Sequence, residues 1–454
     1  MNNYQNQHVV VLGMAKSGVA VAKLLHRFGA HVVVNDQKPR EEAAGADELE
    51  ALGIEVICGG HPDDLIHPGV ALVVKNPGIR YEAAPVAKAI ELGVPVVTEV
   101  ELAYQVSQAP IIGITGSNGK TTTTTLVGLI LQEAGIDALT GGNIGTVLCG
   151  LAQEARPDQW LVAELSSFQL MGTLSFKPKI GVLMNIYPAH LDYHHTMDEY
   201  KAAKWKLFAN QTSDDIAILP YDQPDAWPAD EALRASVYYF SKQQPVPRGV
   251  CVDNGVIVYV DAAGEREEIL PLDRLSVAHL DNALAAALVG KLAGAGSEAI
   301  AKVLSSFAGV EHRMEFVGTV AGVKYYNDSK ATNSEAASRA LQALSEPTIW
   351  ICGGLDRGVT FHDLIPVMQK NVKAVIAFGE TAPILLARAK EAGINRLIHV
   401  DTVEKAVIAA SEAAVPGDVV LLSPACASWD MFPSFEVRGS MFKDVVHRLK
   451  TSLA

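Results

Sequence analysis

The residues in this chain best suited to chemistry begin with Gly116-Ser117-Asn118-Gly119-Lys120-Thr121. A glycine-rich turn of this form can wrap backbone N–H groups around phosphate oxygens. Lys120 would add a point charge, and the Thr121 hydroxyl a ligand for Mg²⁺. The longer phosphate-loop pattern asks for a glycine five residues before Gly119, where Ile114 stands. The short form alone also fits a plain glycine turn with a hydroxyl cap. Its setting favours phosphate. Ile111, Ile112 and Ile114 read as a strand before it, Leu126, Leu129 and Ile130 as a helix after it, and Gly135 as the helix stop. Thr121 to Thr125 are five poor helix formers, each costing ~0.5 kcal/mol against alanine. A helix start that accepts this serves something besides helix stability.

Further candidates follow along the chain. Trp160–Glu164 reads as a strand ending in an acid, which is either a solvated strand end or a Mg²⁺ ligand beside the phosphate loop. Gly141-Gly142-Asn143-Ile144-Gly145 is a second glycine turn. His190, Asp192, His194 and His195 crowd one loop. An exposed polar loop, a transition-metal site and a single Mg²⁺ contact all fit that loop. Met197–Phe208 reads as a helix carrying Lys201 and Lys204, for which a solvated lysine face is the plain alternative.

The elements that must position these groups alternate strand and helix. His8–Leu12, a glycine turn from Gly13 to Gly18, a helix, and His31–Val34 ending in Asn35-Asp36 read as the start of a doubly wound sheet. Ala15 breaks the dinucleotide fingerprint, leaving nucleotide pyrophosphate binding and plain glycine packing both open. Lys75-Asn76-Pro77-Gly78-Ile79 follows the strand Ala71–Val74, a turn at a strand's carboxyl end, where ligands lie in an open α/β sheet. From Phe316 a regular βαβ series carries three polar strand-end loops: Asn327–Asn333, Gly353–Gly358 and Ser423–Asp430. Their hydroxyls, amides and cations suit a small carboxylate ligand. The expected fold is α/β in three domains. They are a Rossmann-like domain over 1–108, a central phosphate-loop domain over 109–314 and a second Rossmann-like domain over 315–454.

Composition bounds the function. At 454 residues with 49% apolar content, the chain has room for about three domains of roughly 150 residues. A net charge of −14, spread without blocks, argues against nucleic acid and anionic membrane as partners. Apolar runs are strand-sized, and the opening MNNYQNQHVVVLG lacks the marks of a secretory leader. Five scattered cysteines read as reduced, buried thiols, so a cytoplasmic location is expected.

Taken in order, TGSNGKTTTT (115–124), GGNIG (141–145), ELSSFQL (164–170), HLD with YKAAK (190–204), EHR (311–313), NDSKATN (327–333) and SPACASWD (423–430) resemble the signature motifs of the Mur ligases. These are ATP-dependent amide ligases of peptidoglycan assembly. NDSKATN and SPACAS point within the family to D-glutamate as the amino acid. The resemblance implies phosphorylation of the carboxylate of UDP-N-acetylmuramoyl-L-alanine by ATP, then attack of the D-glutamate amine on the acyl phosphate. It assigns Gly116, Ser117, Asn118, Gly119, Lys120, Thr121 and Thr122 to the ATP phosphates, Asn282 to adenine and Arg313 to the transferring phosphoryl. Thr121 and Glu164 would hold one Mg²⁺, and His190 with a carbamylated Lys204 a second. Gly13, Lys16, Ser17, Gly18, Asp36, Asn76, Pro77 and Gly78 would bind the UDP part, with Asn143 and His190 nearer the sugar. Lys330, Thr332, Arg357, Ser428 and Phe435 would hold D-glutamate. The resemblance leaves ligation of another amino acid, or a folylpolyglutamate-type reaction, as the nearest alternatives. A nicotinamide oxidoreductase would leave the phosphate loop unexplained. A non-ligating ATPase would turn over without an amino acid. A monomer is expected.

Overall fold

The computed structural model describes residues 4–43, 45–229, 233–277 and 279–452. It holds three sheets in two compact units, residues 1–307 and 308–454.

The first sheet comprises β1 (His8–Leu12), β2 (His31–Asp36), β3 (Glu55–Cys58), β4 (Val70–Lys75) and β5 (Val96–Val97). All pair in parallel, in the order β3-β2-β1-β4-β5. Consecutive valines at 9, 10 and 11 are buried on both faces, as a parallel sheet covered by helices requires. The strand order reverses between β1 and β4. That is where a doubly wound sheet opens a crevice at its carboxyl ends.

The second sheet also lies in the first unit. Its strands are β6 (Ile111–Thr115), β7 (Ala138–Gly142), β8 (Trp160–Glu164), β9 (Ile180–Leu183), β10 (Ile216–Pro220), β11 (Ser236–Ser241), β12 (Gly249–Asp253), β13 (Val256–Val260) and β14 (Arg266–Pro271). The order is β14-β13-β12-β11-β10-β9-β6-β8-β7, parallel except for the β12–β13 and β13–β14 pairs. Asn254-Gly255, both at positive φ, make the β12–β13 hairpin turn that an Asn-Gly pair favours. The phosphate-loop strand β6 sits between β8 and β9, so its carboxyl end faces the reversal of strand order. The helix Lys120–Glu133 behind it packs on the helix Leu280–Leu292, whose residues 282–290 are all buried. A helix apolar on all sides belongs in a core. The bridge Glu99–Val106 is tied to this sheet's side of the unit by the Glu101 carboxylate. It accepts from the backbone N–H of Leu174, Ser175 and Phe176.

The second unit holds β15 (Glu315–Val320), β16 (Val323–Asn327), β17 (Thr348–Gly353), β18 (Val372–Phe378), β19 (Arg396–His399) and β20 (Val419–Leu422). Their order is β15-β16-β20-β17-β18-β19, parallel except for the β15–β16 pair. The three polar loops follow β16, β17 and β20, which are adjacent strands. Their convergence is therefore built into the sheet order.

Candidate functional site

Gly119, at φ +83°, caps the helix Lys120–Glu133 in the left-handed region. A Cβ there would also strike the Asn282 side chain, which is buried against the loop. Lys120 Nζ folds back onto its own loop, donating to the carbonyls of Gly116 (2.8 Å) and Ser117 (3.1 Å). The Asn118 N–H donates to Asn185 Oδ1 at 2.9 Å, and the Ser117 hydroxyl lies 3.0 Å from that of Tyr200. The loop is thus braced by residues following β9 as well as by its own strand. In the threonine run, the Thr123 and Thr124 hydroxyls are buried without a partner, so these side chains fill space as valines would.

Glu164 is the hub. Parallel pairing of β6 with β8 sets it beside Ile114, one strand from the loop. Its Oε2 accepts from the Thr121 hydroxyl at 2.7 Å, and its Oε1 from Asn143 Nδ2 at 2.8 Å. Asn143 is further held by its N–H on the Glu164 carbonyl (2.9 Å). Glu164 is only 2% exposed, so it is no solvated strand end. A hydroxyl and a carboxylate oxygen this close are hard oxygen donors of the kind Mg²⁺ takes.

Lys204 departs from the solvated-lysine reading. It is 1% exposed, its Nζ donates to Gly116 O at 2.9 Å, and the Tyr200 ring lies 4.6 Å away. Burial, reinforced by the Lys120 charge, drives its pKa well below the usual lysine range. The helix carrying it ends at Trp205 rather than Phe208.

The histidine loop disperses its ring nitrogens. His190 sits at φ +55° with its ring edge-on to Phe168 at 5.0 Å. His194 is buried, stacks on Phe168 at 5.2 Å, and shares a 2.9 Å hydrogen bond between its Nε2 and the Ser167 hydroxyl. Burial, then the charges of Lys204 and His190, push it down to about 4. His195 turns to Glu82 at 3.2 Å. Three histidines on one metal ion is therefore not the arrangement found. Among the described residues, the one cluster with metal-ligand spacing is Glu311, His312 and Glu315. Lys443 pairs with both of its acids.

At the reversal point of the first sheet, Gly13 (φ +92°) turns the chain out of β1. A Cβ on Gly18 would collide with the Gly13 carbonyl, which explains that glycine. Ser17 and Lys16 open the helix Lys16–Arg27. Asp36 accepts from the Met14 and Lys38 N–H groups (2.7 and 3.0 Å). Asn76 Nδ2 reaches the Ser17 hydroxyl at 3.4 Å, and Asn76 Oδ1 accepts the Gly78 N–H at 3.1 Å. Gly13, Ser17, Gly18, Asn76, Pro77 and Gly78 thus gather at one edge. Lys75, just before them, was read from sequence as part of that turn and given no role of its own. It is buried, and burial lowers its pKa to about 8, with Glu82 opposing.

In the second unit, Lys330 Nζ lies 5.8 Å from the Phe435 ring centre, and the Arg357 guanidinium stacks over Trp429 at 4.9 Å. Ser428 is buried, with its carbonyl accepting from the Phe432 N–H at 2.7 Å. Thr332 N–H bonds the Lys330 carbonyl at 2.9 Å. Leu355 N–H donates to Ala427 O (3.0 Å) and Gly353 N–H to Pro424 O (2.9 Å), lacing two of the loops together. Arg313 lies in the turn before β15, its N–H on Val310 O at 3.1 Å. Its charge opposes the burial that raises Asp328 to about 6. Ala278, which begins the stretch leading to Asn282, lies outside the described residues.

Arg438, fully buried in the helix Phe435–Ser452, joins all three loops and was not singled out from sequence. It donates to the Ser329 hydroxyl (3.0 Å) and carbonyl (2.9 Å), to Cys426 O (3.1 Å) and to Gly353 O (3.4 Å). Burial lowers its pKa to about 10. The only sequence signal is a lone arginine among small and apolar neighbours. Arg438→Met orphans several buried acceptors at ~1–3 kcal/mol each. Calorimetry should show the second unit melting well below the wild-type transition, and an unchanged transition would remove Arg438 from this role.

The fold and these sites define a phosphate-loop α/β enzyme with an acid, a hydroxyl and a buried lysine around the loop. Family models described as "Mur ligase MurD-like, N-terminal domain", "Mur ligase middle domain" and "Mur ligase, glutamate ligase domain" match residues 7–98, 114–290 and 312–426. UDP-N-acetylmuramoylalanine–D-glutamate ligases from Geobacillus sp. strain WCH70 and Bacillus subtilis strain 168 are each 51% identical over 450 residues. Each match covers 98% of this chain, with 99% and 98% of the respective relative. Among solved structures, the fold is similar to UDP-N-acetylmuramate-alanine ligase MurC of Thermotoga maritima. The TM-score is 0.55 at 17% identity, covering 98% of this chain and 100% of that one. The chain belongs to the Mur ligase family. Among the described residues, no helix is long and apolar enough to cross a membrane.

Proposed function

We propose that this chain joins D-glutamate to UDP-N-acetylmuramoyl-L-alanine at the expense of ATP, in peptidoglycan synthesis, as a cytoplasmic monomer. The observation that carries the reading within the molecule is the Glu164 hub, one carboxylate binding both the phosphate-loop hydroxyl and the Asn143 amide. The named relatives, half identical along their whole length, support the choice of substrates.

A carboxylate is a poor electrophile, and its conversion to an acyl phosphate supplies a leaving group. The substrate carboxylate attacks the ATP γ-phosphorus, releasing ADP. The neutral amine of D-glutamate then attacks the acyl carbon, a tetrahedral intermediate collapses, and phosphate leaves as the amide forms. Positioning and charge neutralisation are what a protein contributes to such steps. The loop N–H groups from Gly116 to Thr122 and the Lys120 ammonium would orient the phosphates. Asn282, buried against Gly119, would lie towards adenine.

Thr121 and Glu164 fit one Mg²⁺ by donor type and spacing. A carbamate on Lys204, with His190, would serve a second; such ions neutralise phosphate charge when bound. Lys204 fits carbamylation because its amine is buried, and burial favours the neutral form, which adds CO₂ and gives up a proton. Gly13–Gly18, Asp36 and Asn76–Gly78 would grip the UDP part, and Asn143 and His190 the sugar side. In the second unit, Lys330 and Arg357 would meet the two carboxylates of D-glutamate. The hydroxyls of Thr332 and Ser428 would orient it, with Phe435 as a wall.

The test is phosphate release from ATP with UDP-N-acetylmuramoyl-L-alanine and a panel of amino acids. Release is expected only with both co-substrates, and fastest with D-glutamate. Preference for L-alanine or a diamino acid, or release without any amino acid, overturns the assignment.

A further inference from the structure

We propose that Lys75 and Tyr193 form a clamp that holds the Asn76–Gly78 turn and the His190 loop in one register. They would thereby act as positioning residues for the UDP-sugar. The proposal rests on the reading of those two loops given above.

Lys75 ends β4, and Tyr193 lies three residues past His190. The Lys75 ammonium donates to Ile79 O (2.8 Å), to Pro77 O (3.3 Å) and to the Tyr193 hydroxyl (3.2 Å). That hydroxyl lies 2.9 Å from Ile79 O and 3.1 Å from Pro77 O, within donating distance of either. One cation and one phenol thus close around the Pro77 carbonyl of the turn and the Ile79 carbonyl just after it. The Lys75 ammonium also lies 4.5 Å from the centre of the Tyr81 ring. Among the described residues, no carboxylate lies within ion-pair distance of Lys75, and Glu82 acts on it only from farther away. A 1% exposed ammonium without a contacting counter-ion is costly, and carbonyl dipoles and a ring face compensate it.

The far side of the clamp leads directly to His190. The Phe168 ring lies edge-on to both Tyr193 (4.6 Å) and His190 (5.0 Å), so the two side chains share one wall. Two exposed pairs flank the clamp, Arg80–Asp192 at 3.6 Å and Glu82–His195 at 3.2 Å. Exposed pairs contribute little, so the cluster built on the buried Lys75 ammonium is what fixes the register. A ligand gripped by the turn at one end and by the His190 loop at the other would then meet both at a fixed separation.

Tyr193→Phe removes a single oxygen and keeps the Phe168 contact. In the full-length chain we expect the KM for UDP-N-acetylmuramoyl-L-alanine and the half-saturating Mg²⁺ concentration to rise together by about fivefold. This is the scale of one lost hydrogen bond, and the KM for ATP should hold. Lys75→Met should shift the same two constants, and the double variant should fall short of the product of the single effects. A lower melting temperature with both constants unchanged would make the cluster plain structural glue and overturn the proposal, as would full additivity. Wild-type chain that fails to turn over the UDP-sugar overturns the underlying reading, whereas wild-type turnover with unmoved Tyr193→Phe constants overturns the clamp alone.

Discussion

Glu164→Gln should lower kcat by about 10²–10³-fold, the usual loss when one preorganised electrostatic group is removed from a reacting centre. The substitution keeps size and hydrogen-bonding reach. Its amide oxygen still accepts from Asn143, or its amide nitrogen meets the Thr121 hydroxyl, but one of the two present contacts changes sign. The negative charge that would hold Mg²⁺ beside Thr121 is lost outright. Nucleotide should still bind, because the loop N–H groups and Lys120 are untouched. Titration calorimetry with ADP, alongside phosphate release at rising Mg²⁺, separates the two effects. A kcat within tenfold of wild type would remove Glu164 from the metal's coordination.

Lys204→Met should be at least as severe, about 10³-fold, if the residue works as a carbamate, because it deletes an anion at the phosphate-transfer centre. The sign of the pH effect follows from burial. The folded-state pKa of the unmodified lysine lies well below that of the unfolded chain. Between those two values the unfolded state holds the extra proton, so stability rises with pH across that window and is lost as pH falls through the folded pKa. The same protonation removes the neutral amine that CO₂ needs. In bicarbonate-depleted buffer, activity should therefore decline with acidification and recover when bicarbonate is restored. Intact-mass measurement of active enzyme should find the CO₂ increment on the peptide containing Lys204. An unmodified lysine in active, bicarbonate-supplied enzyme would end the carbamate proposal.

Where chemistry and period coincide, the sequence was readable. Trp160–Glu164 is a strand as read, and His8–Leu12 and the phosphate-loop helix stop at Gly135 stand where glycines and valines place them. The three polar loops of the second unit were legible as strand ends. Their meeting needed the sheet order, in which β20 inserts between β16 and β17. Lys204 was ambiguous because a helix reading MDEYKAAKW carries too few apolar residues to mark a buried face. What buries the lysine is Gly116 and Tyr200, and one of these is far away in sequence. The histidine loop stayed open among three readings for a related reason. Spacing shows how close residues are along the chain, whereas the left-handed turns at His190 and His195 send their rings apart. Strands β7, β10, β11 and β14 carry weak or mixed patterns and were not read individually. The roles of Lys75 and Arg438 escaped because a buried cation among carbonyls leaves no sequence partner to find.

Arg438 also sets an order of assembly. The loops it joins lie at 329, 353 and 426, all upstream, and the side chain that pins them arrives later, in the helix Phe435–Ser452. During synthesis, β16 and β17 are complete long before that helix exists, yet the loops that follow them have nothing to pin them. The three loops can therefore be laced together only once that helix has been made, and a product cut short before Phe435 would lack the pin that joins them.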